Sequence, residues 1–456
     1  MMFIRHPIAA ALLLALLATT VHAAREQTET LLAPFPPEVR DSAVISPDGR
    51  RIAYLEPTGN GQTAVIDGNR EGPYERVGGL TFSPNSRWYA YAAAAEGRWF
   101  VVVNGRPKPA YNRVGLPVFG PDSRRLAHVA LLDDGSRAVV EVNQPPGTSY
   151  EQIFEGRIVF SGGGRRIAYG VRHKGKWHLV VDGQASEPFD FLGSSTGIHF
   201  GGDGGRVAFA GLLGKKWCMV VDGKRQEPFD NLADFAFSSD GRHFAYAAST
   251  DGKWCVIRDG QPQEPYDAVG EETLTYSPDG RHLAYAARTA QKWVAVVDAK
   301  ELPPYDGIAE MKFSPDSRFL AYVVRLGTAE MVVVGDRRQK IYDRVGGGTL
   351  EFSPDSRRLG YVARAGDDSF AVVGGRRSEP YDMVAYLTCT PDGRHYVFAA
   401  TKGKEAFTVV NGIASPHRYE AIWTVPAARF RFDAEKQFHY LAVKQDKIFL
   451  VEEAVE

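Results

Sequence analysis

Residues 313–324 read F-S-P-D-S-R-F-L-A-Y-V-V, and the fold is decided by how this stretch is read. Phe313 closes a short apolar run. Ser314-Pro315-Asp316-Ser317 is a tight turn: proline pre-sets φ at the second position, and Asp and Ser suit the two that follow. The residues after it alternate toward Tyr322 with period two, the pattern of a strand. The same turn recurs, starting at Ser46, Ser83, Gly120, Ser161, Gly201, Ser238, Ser277, Ser314, Ser353 and Thr390, with a degenerate eleventh at Asp433. Successive starts are 37, 37, 41, 40, 37, 39, 37, 39, 37 and 43 residues apart, a period that chance matches would not keep.

The rest of the unit is clearest between residues 251 and 269. Asp251-Gly252-Lys253 breaks the chain, Trp254-Cys255-Val256-Ile257 is a second apolar run, and Asp259-Gly260 is a hairpin signal. Glu264-Pro265-Tyr266-Asp267-Ala268-Val269 reads as an edge strand with proline at its start, where a missing N–H does least harm. Each unit thus supplies four short strands and no helical pattern. Such a unit cannot bury its faces alone and is stable only when stacked on its neighbours.

Units of the form F-S-P-D-G-R-x-L-A-Y, followed by an apolar run and Asp-Gly, resemble the TolB-type propeller repeat, a relative of the WD-type blade. The resemblance covers residues 39–455, with no counterpart of the separate N-terminal α/β domain of TolB. It implies an all-β β-propeller of four-stranded antiparallel blades, and little about function, since such blades serve scaffolds, sensors and the non-catalytic parts of peptidases. Ten to eleven units exceed the usual four to eight blades. Two fused propellers of five or six blades are the expected arrangement, and one large ring is the alternative. No linker marks an internal boundary. The strongest irregularity is the third unit, where residues 133–156 lose both the Asp-Gly turn and the Pro-Tyr-Asp element. Its neighbours carry Ser161-Gly162-Gly163-Gly164 and Gly201-Gly202-Asp203-Gly204 in place of Ser-Pro-Asp.

Residues 1–23 read as a signal peptide. Arg5 and His6 precede an Ala/Leu-rich run, and Val21-His22-Ala23 fits a small-residue cleavage site after Ala23. A periplasmic or secreted location follows as an expectation, without membrane insertion. Residues 24–38, with Pro34, Pro36 and Pro37, read as a tether before repeats spanning 39–456. The last unit lacks a Pro-Tyr-Asp strand, and residues 39–45 are the expected replacement that closes the ring. Lys plus Arg is 54 and Asp plus Glu 55, so loss of Arg5 leaves 53 − 55 = −2, a balance that points to no nucleic-acid or anionic-membrane partner.

Several residue types recur at fixed places. Trp99, Trp177, Trp217, Trp254 and Trp293 open the third strand, with Phe370 and Phe407 read into the same place, as packing wedges between blades. Ala53, Ala90, Ala127, Ala168, Ala208, Ala245, Ala284 and Ala321 let adjacent sheets approach. Asp190, Asp230, Asp267, Asp306, Asp343 and Asp382, with Glu75 and Glu420, read as strand-end carboxylates bonded to nearby backbone N–H groups, with Arg242, Arg281, Arg318, Arg357 and Arg394 as partners. Cys218, Cys255 and Cys389 are expected to be buried free thiols, because equivalent positions on adjacent blades lie too far apart for a disulfide.

Signals for chemistry are weak. Gly193-Ser194-Ser195-Thr196-Gly197 matches G-x-S-x-G, but a nucleophile elbow needs a buried strand before it and a helix after it, and here the motif lies between two short strands of the repeat array. His173, His178 and His199 are the densest histidines and lack ligand spacing. No oxygen-rich run resembles a calcium loop. We therefore assign no catalytic, cofactor-binding or metal residues and no cofactor. The expected function is an exported non-catalytic scaffold that binds a protein or envelope component through rim loops. The alternatives are a hydrolase or lyase acting on a glycan or small metabolite in the axial channel, and a ligand-sensing accessory subunit.

Overall fold

The computed structural model describes residues 26–154, 158–193, 197–202, 204–424 and 430–455, and it arranges them in eleven antiparallel sheets. Blade 7 shows how one unit builds a sheet. Thr275–Tyr276 forms the end of the inner strand, Leu283–Thr289 the second, Lys292–Val297 the third and Lys300–Glu301 the outer strand. Residues 283–287 of the second strand are all buried, so it reads as apolar on both faces because a neighbouring blade covers each.

The alanine–tyrosine pair of the repeat explains the stacking. Ala284 and Tyr285 are adjacent, so their side chains leave opposite faces of the sheet. Tyr285 packs with Ala245 of blade 6, and Ala284 packs with Tyr322 of blade 8. The same contact joins Ala53 to Tyr91, Ala208 to Tyr246 and Ala321 to Tyr361. Each ring of one blade occupies the space left by a methyl group on the blade before it.

Blade 11 packs on blade 1 through Leu441, Val443 and Ile448 against Ile52, Tyr54 and Val65. The eleven blades therefore form one ring, the alternative arrangement, and not two fused propellers of five or six. The physical reason is that nearly every step is built from the same aromatic-on-small contact, so no step offers a place to close early.

The closing strand is also not the expected one. Gln27–Pro34 pairs with Lys447–Ala454 as the outer strand of blade 11. Residues 39–45 do not: Pro37–Ser42 is a 3₁₀ turn with proline in its first turn, and Val44–Ile45 begins blade 1. The stretch read as a tether is thus largely a strand. Residues 1–23 lie outside the described residues.

The inner strands come in two forms. In blades 2, 6, 8 and 10 they are continuous and bulged, as Arg76–Phe82, Asn231–Phe237, Gly307–Phe313 and Met383–Cys389. In blades 3, 4, 5, 7, 9 and 11 they are interrupted, pairing with the second strand in two pieces. From blade 5 to blade 11 the forms alternate. Where a bulged blade precedes an interrupted one, its bulge can cap the break: Glu310 accepts hydrogen bonds from the N–H groups of Gly348 (2.8 Å) and Leu350 (2.9 Å) in blade 9. Blades 3, 4 and 5 are interrupted in succession.

Candidate functional site

The two rims carry different chemistry. One holds the Ser-Pro-Asp turns and the Asp-Gly hairpins; the other holds the second-to-third-strand turns and the connections between blades. On the first rim, Arg166 Nε meets Asp182 Oδ2 at 2.8 Å and its Nη1 donates to the Gly205 carbonyl of blade 5 at 3.0 Å. Arg206 and Arg51 repeat this staple toward blades 6 and 2.

On the second rim the recurrent aspartates bind backbone N–H groups, as expected. Asp190 accepts from Gly214, Asp306 from Gly327 and Asp382 from Gly403. Their cationic partners are not the expected arginines, because Arg242, Arg318 and Arg357 lie on the opposite rim, each within 4.0 Å of an aspartate in its own turn. Lysines of the preceding blade take the role: Lys216 Nζ reaches Asp230 at 2.6 Å and Lys253 Nζ reaches Asp267 at 2.6 Å. The lysine hydrogen bond, followed by the lysine charge, holds the Asp267 carboxyl below its ordinary 3.8. A depressed carboxylate contributes its stability above the unfolded value and loses it as pH falls through the folded one. Replacing Lys253 by methionine is expected to move the Asp267 titration back up toward 3.8, read by carboxyl carbon-13 NMR; an unmoved midpoint would show that Lys253 is not the cause.

The tryptophans are half-buried and pair outward with the aromatic of the outer segment, as Trp99 with Tyr111, Trp254 with Tyr266 and Trp293 with Tyr305. Phe370 and Phe407 do not share this place. Tyr381 pairs with Ser369 and Tyr419 with Ala406, so both phenylalanines are one residue on and face the other side. Some blades without the tryptophan put an acceptor there. Gln62 accepts from the Val77 N–H at 2.9 Å and Glu330 from the Val345 N–H at 2.7 Å, each on the next blade.

Blade 3 does neither. Arg137 occupies the tryptophan place, opposite Leu131 on one side and Tyr150 on the other. Guanidinium has no acceptor, and Arg137 Nη1 instead donates to the Glu151 carbonyl at 3.2 Å. A cavity of about 380 Å³ lies beside it, lined by Arg113, Leu116, Val129, Leu131 and Ile158 among others. On the other face of blade 3 a second cavity of about 410 Å³ is lined by Tyr111, His128, Val140 and Pro145 among others. There His128 stands where the repeat has tyrosine or phenylalanine, with its ring centroid 6.0 Å from that of Tyr111. Burial pushes the His128 pKa down, so the smaller ring stays neutral. The irregular third unit thus coincides with two sizeable cavities, one on each face of blade 3. The sequence carried one signal, histidine for tyrosine at 128; that Arg137 takes the tryptophan place is fixed only by its pairing with Tyr150.

The other singled-out residues do not converge. His178 Nδ1 lies 2.8 Å from the Ser186 carbonyl, His199 rests on Phe235 with centroids 4.9 Å apart, and His173 meets Tyr150 edge-on. Ser194, Ser195 and Thr196 lie outside the described residues. None of the three cysteines forms a disulfide; Cys218 and Cys389 are buried and Cys255 half-buried, and burial raises the Cys218 and Cys255 thiols above their ordinary value. Among the described residues no group of three His, Cys, Asp or Glu side chains has metal-binding geometry, and no helix is long and apolar enough to cross a membrane.

No family model and no curated protein matches the chain. Among solved structures, the chain is similar to one described as the eukaryotic initiation factor, at 12% identity over 73% of this chain and 96% of that one, with a TM-score of 0.41. It is also similar to the Dos1 propeller, at 12% identity over 65% and 90% with a TM-score of 0.33, and to TolB from Acinetobacter baumannii, at 14% identity over 55% and 77% with a TM-score of 0.25. These are likenesses of fold alone. The class, a β-propeller of four-stranded antiparallel blades, follows from the sheet order of this chain.

Proposed function

We propose that the protein is an exported, non-catalytic scaffold that binds a protein or envelope component, and that blade 3 is its recognition face. One observation supports this reading: the departures from the repeat cluster on one blade, and that blade carries the exposed stretch 143–149 where the repeat has a two-residue Asp-Gly turn. Loops on a rigid frame are where recognition concentrates. The test is affinity capture from an envelope extract with the chain from Ala24 onward as bait. Replacing residues 142–148 with an Asp-Gly turn is expected to abolish capture of a reproducible partner and to shift Tm by no more than a few degrees, since few buried contacts are lost. Capture unchanged by the replacement would place recognition on another face.

A further inference from the structure

We propose that the cavity between blades 3 and 4 binds a small anionic amphiphile: a carboxylate or phosphate ester carrying a short aliphatic tail. This goes beyond the scaffold reading and stands without it. Arg113, Leu131 and Arg137 are in register across the sheet, Leu131 opposite each arginine in turn. Adjacent strands lie about 4.8 Å apart, so the two arginines flank the leucine at a spacing of about 10 Å. Both line the cavity. Two guanidinium groups carried on strands at that spacing can converge on one anion held over Leu131, each offering a planar pair of N–H donors.

Among the described residues no carboxylate pairs with Arg113 or Arg137. Two acidic side chains of the same blade and its outer connection are engaged elsewhere: Asp133 with Arg98 at 2.8 Å, and Glu151 with the N–H of Lys174 at 2.6 Å. Low-dielectric walls strengthen the field of the two guanidinium groups in the cleft. Those walls are aliphatic, with Val129 and Ile158 buried and Leu116 at the lip 62% exposed. At about 380 Å³ the cavity falls at the small end of the range for small-molecule sites, roughly 300–1,000 Å³. An apolar pocket would take any tail, and an arginine pair on a flat surface any anion. The combination selects a molecule with both.

The experiment is isothermal titration calorimetry on the chain from Ala24 onward, with octanoate and octyl phosphate as probes and with octanol and acetate as the headless and tailless controls. We expect both probes to bind, and each control to bind at least about tenfold more weakly, the worth of one charge-assisted contact. Arg137→Trp restores the wedge of the other blades and is expected to abolish probe binding while Tm holds or rises. Arg113→Gln, at an exposed side chain, is expected to weaken octanoate about tenfold and keeps the test open if the tryptophan does not fit. The proposal fails if octanol binds as tightly as octanoate, if Arg137→Trp binds at full strength, or if neither probe binds. Partner capture is read separately, so either idea can fail alone.

Discussion

Replacing Phe35 by alanine is expected to destabilise the ring by about 3–5 kcal/mol, the cost of emptying a fully buried aromatic site. Phe35 is 0% exposed and sits where the last blade meets the first. Its ring meets Tyr54 of blade 1 edge-on at 5.7 Å and Trp423 of blade 11 at 5.1 Å. Its backbone N–H donates to the Asp446 carbonyl at 2.6 Å, which fixes the chain as it leaves the closing strand. The loss falls on the one step closed by a strand from the opposite terminus. Urea unfolding followed by circular dichroism measures it. Ile413→Ala, a change of similar chemistry on the exposed outer strand of blade 10, serves as the control and is expected to cost less than about 0.5 kcal/mol. Equal costs for the two would mean that the ring is not held at this seam.

Replacing Tyr285 by alanine is expected to cost a comparable 3–5 kcal/mol, again about the value for deleting a core aromatic. The side chain is 1% exposed and stands edge-on to Tyr266 at 6.3 Å, with Ala245 of blade 6 beneath it. Its hydroxyl donates to Gln263 Oε1 at 2.8 Å, and burial holds the phenol far above its ordinary pKa. Tyr285→Phe keeps the ring and loses only the hydrogen bond, for about 1 kcal/mol. The ratio of the two costs tests whether packing or the hydroxyl holds blade 7 to blade 6; near-equal costs would assign the stability to the hydrogen bond.

What the chain discloses depends on whether a feature repeats. The Ser-Pro-Asp turn and the Ala-Tyr pair recur about every 38 residues, and each copy votes for the same strand, so the blade was legible. The ring count was not, because eleven similar steps carry no mark of where curvature closes. The closing strand was misplaced because residues 27–34 are not a repeat element and become a strand only when Lys447–Ala454 offers its edge. The lysine partners of the aspartates were hidden for a related reason. Lys253 and Asp267 are 14 residues apart in sequence but on consecutive blades, and only the stacking brings them together. At the cavities, the third unit was visible as irregular. That Arg137 stood in for tryptophan was not, since its register depends on pairing with Tyr150.

Eleven is odd, and a closed ring can be coloured in two alternating shades only if its membership is even. With bulged and interrupted inner strands as the shades, one member must stand outside the pattern or two like neighbours must meet. Blade 1 stands outside it: its inner strand is the single short piece Val44–Ile45, and it lies where the two ends of the chain meet. The other ten blades could then alternate throughout, so the run of like neighbours at blades 3, 4 and 5 is not imposed by the count and belongs to the residues of those blades. The cleft beside Arg137 opens at the first of these like pairs.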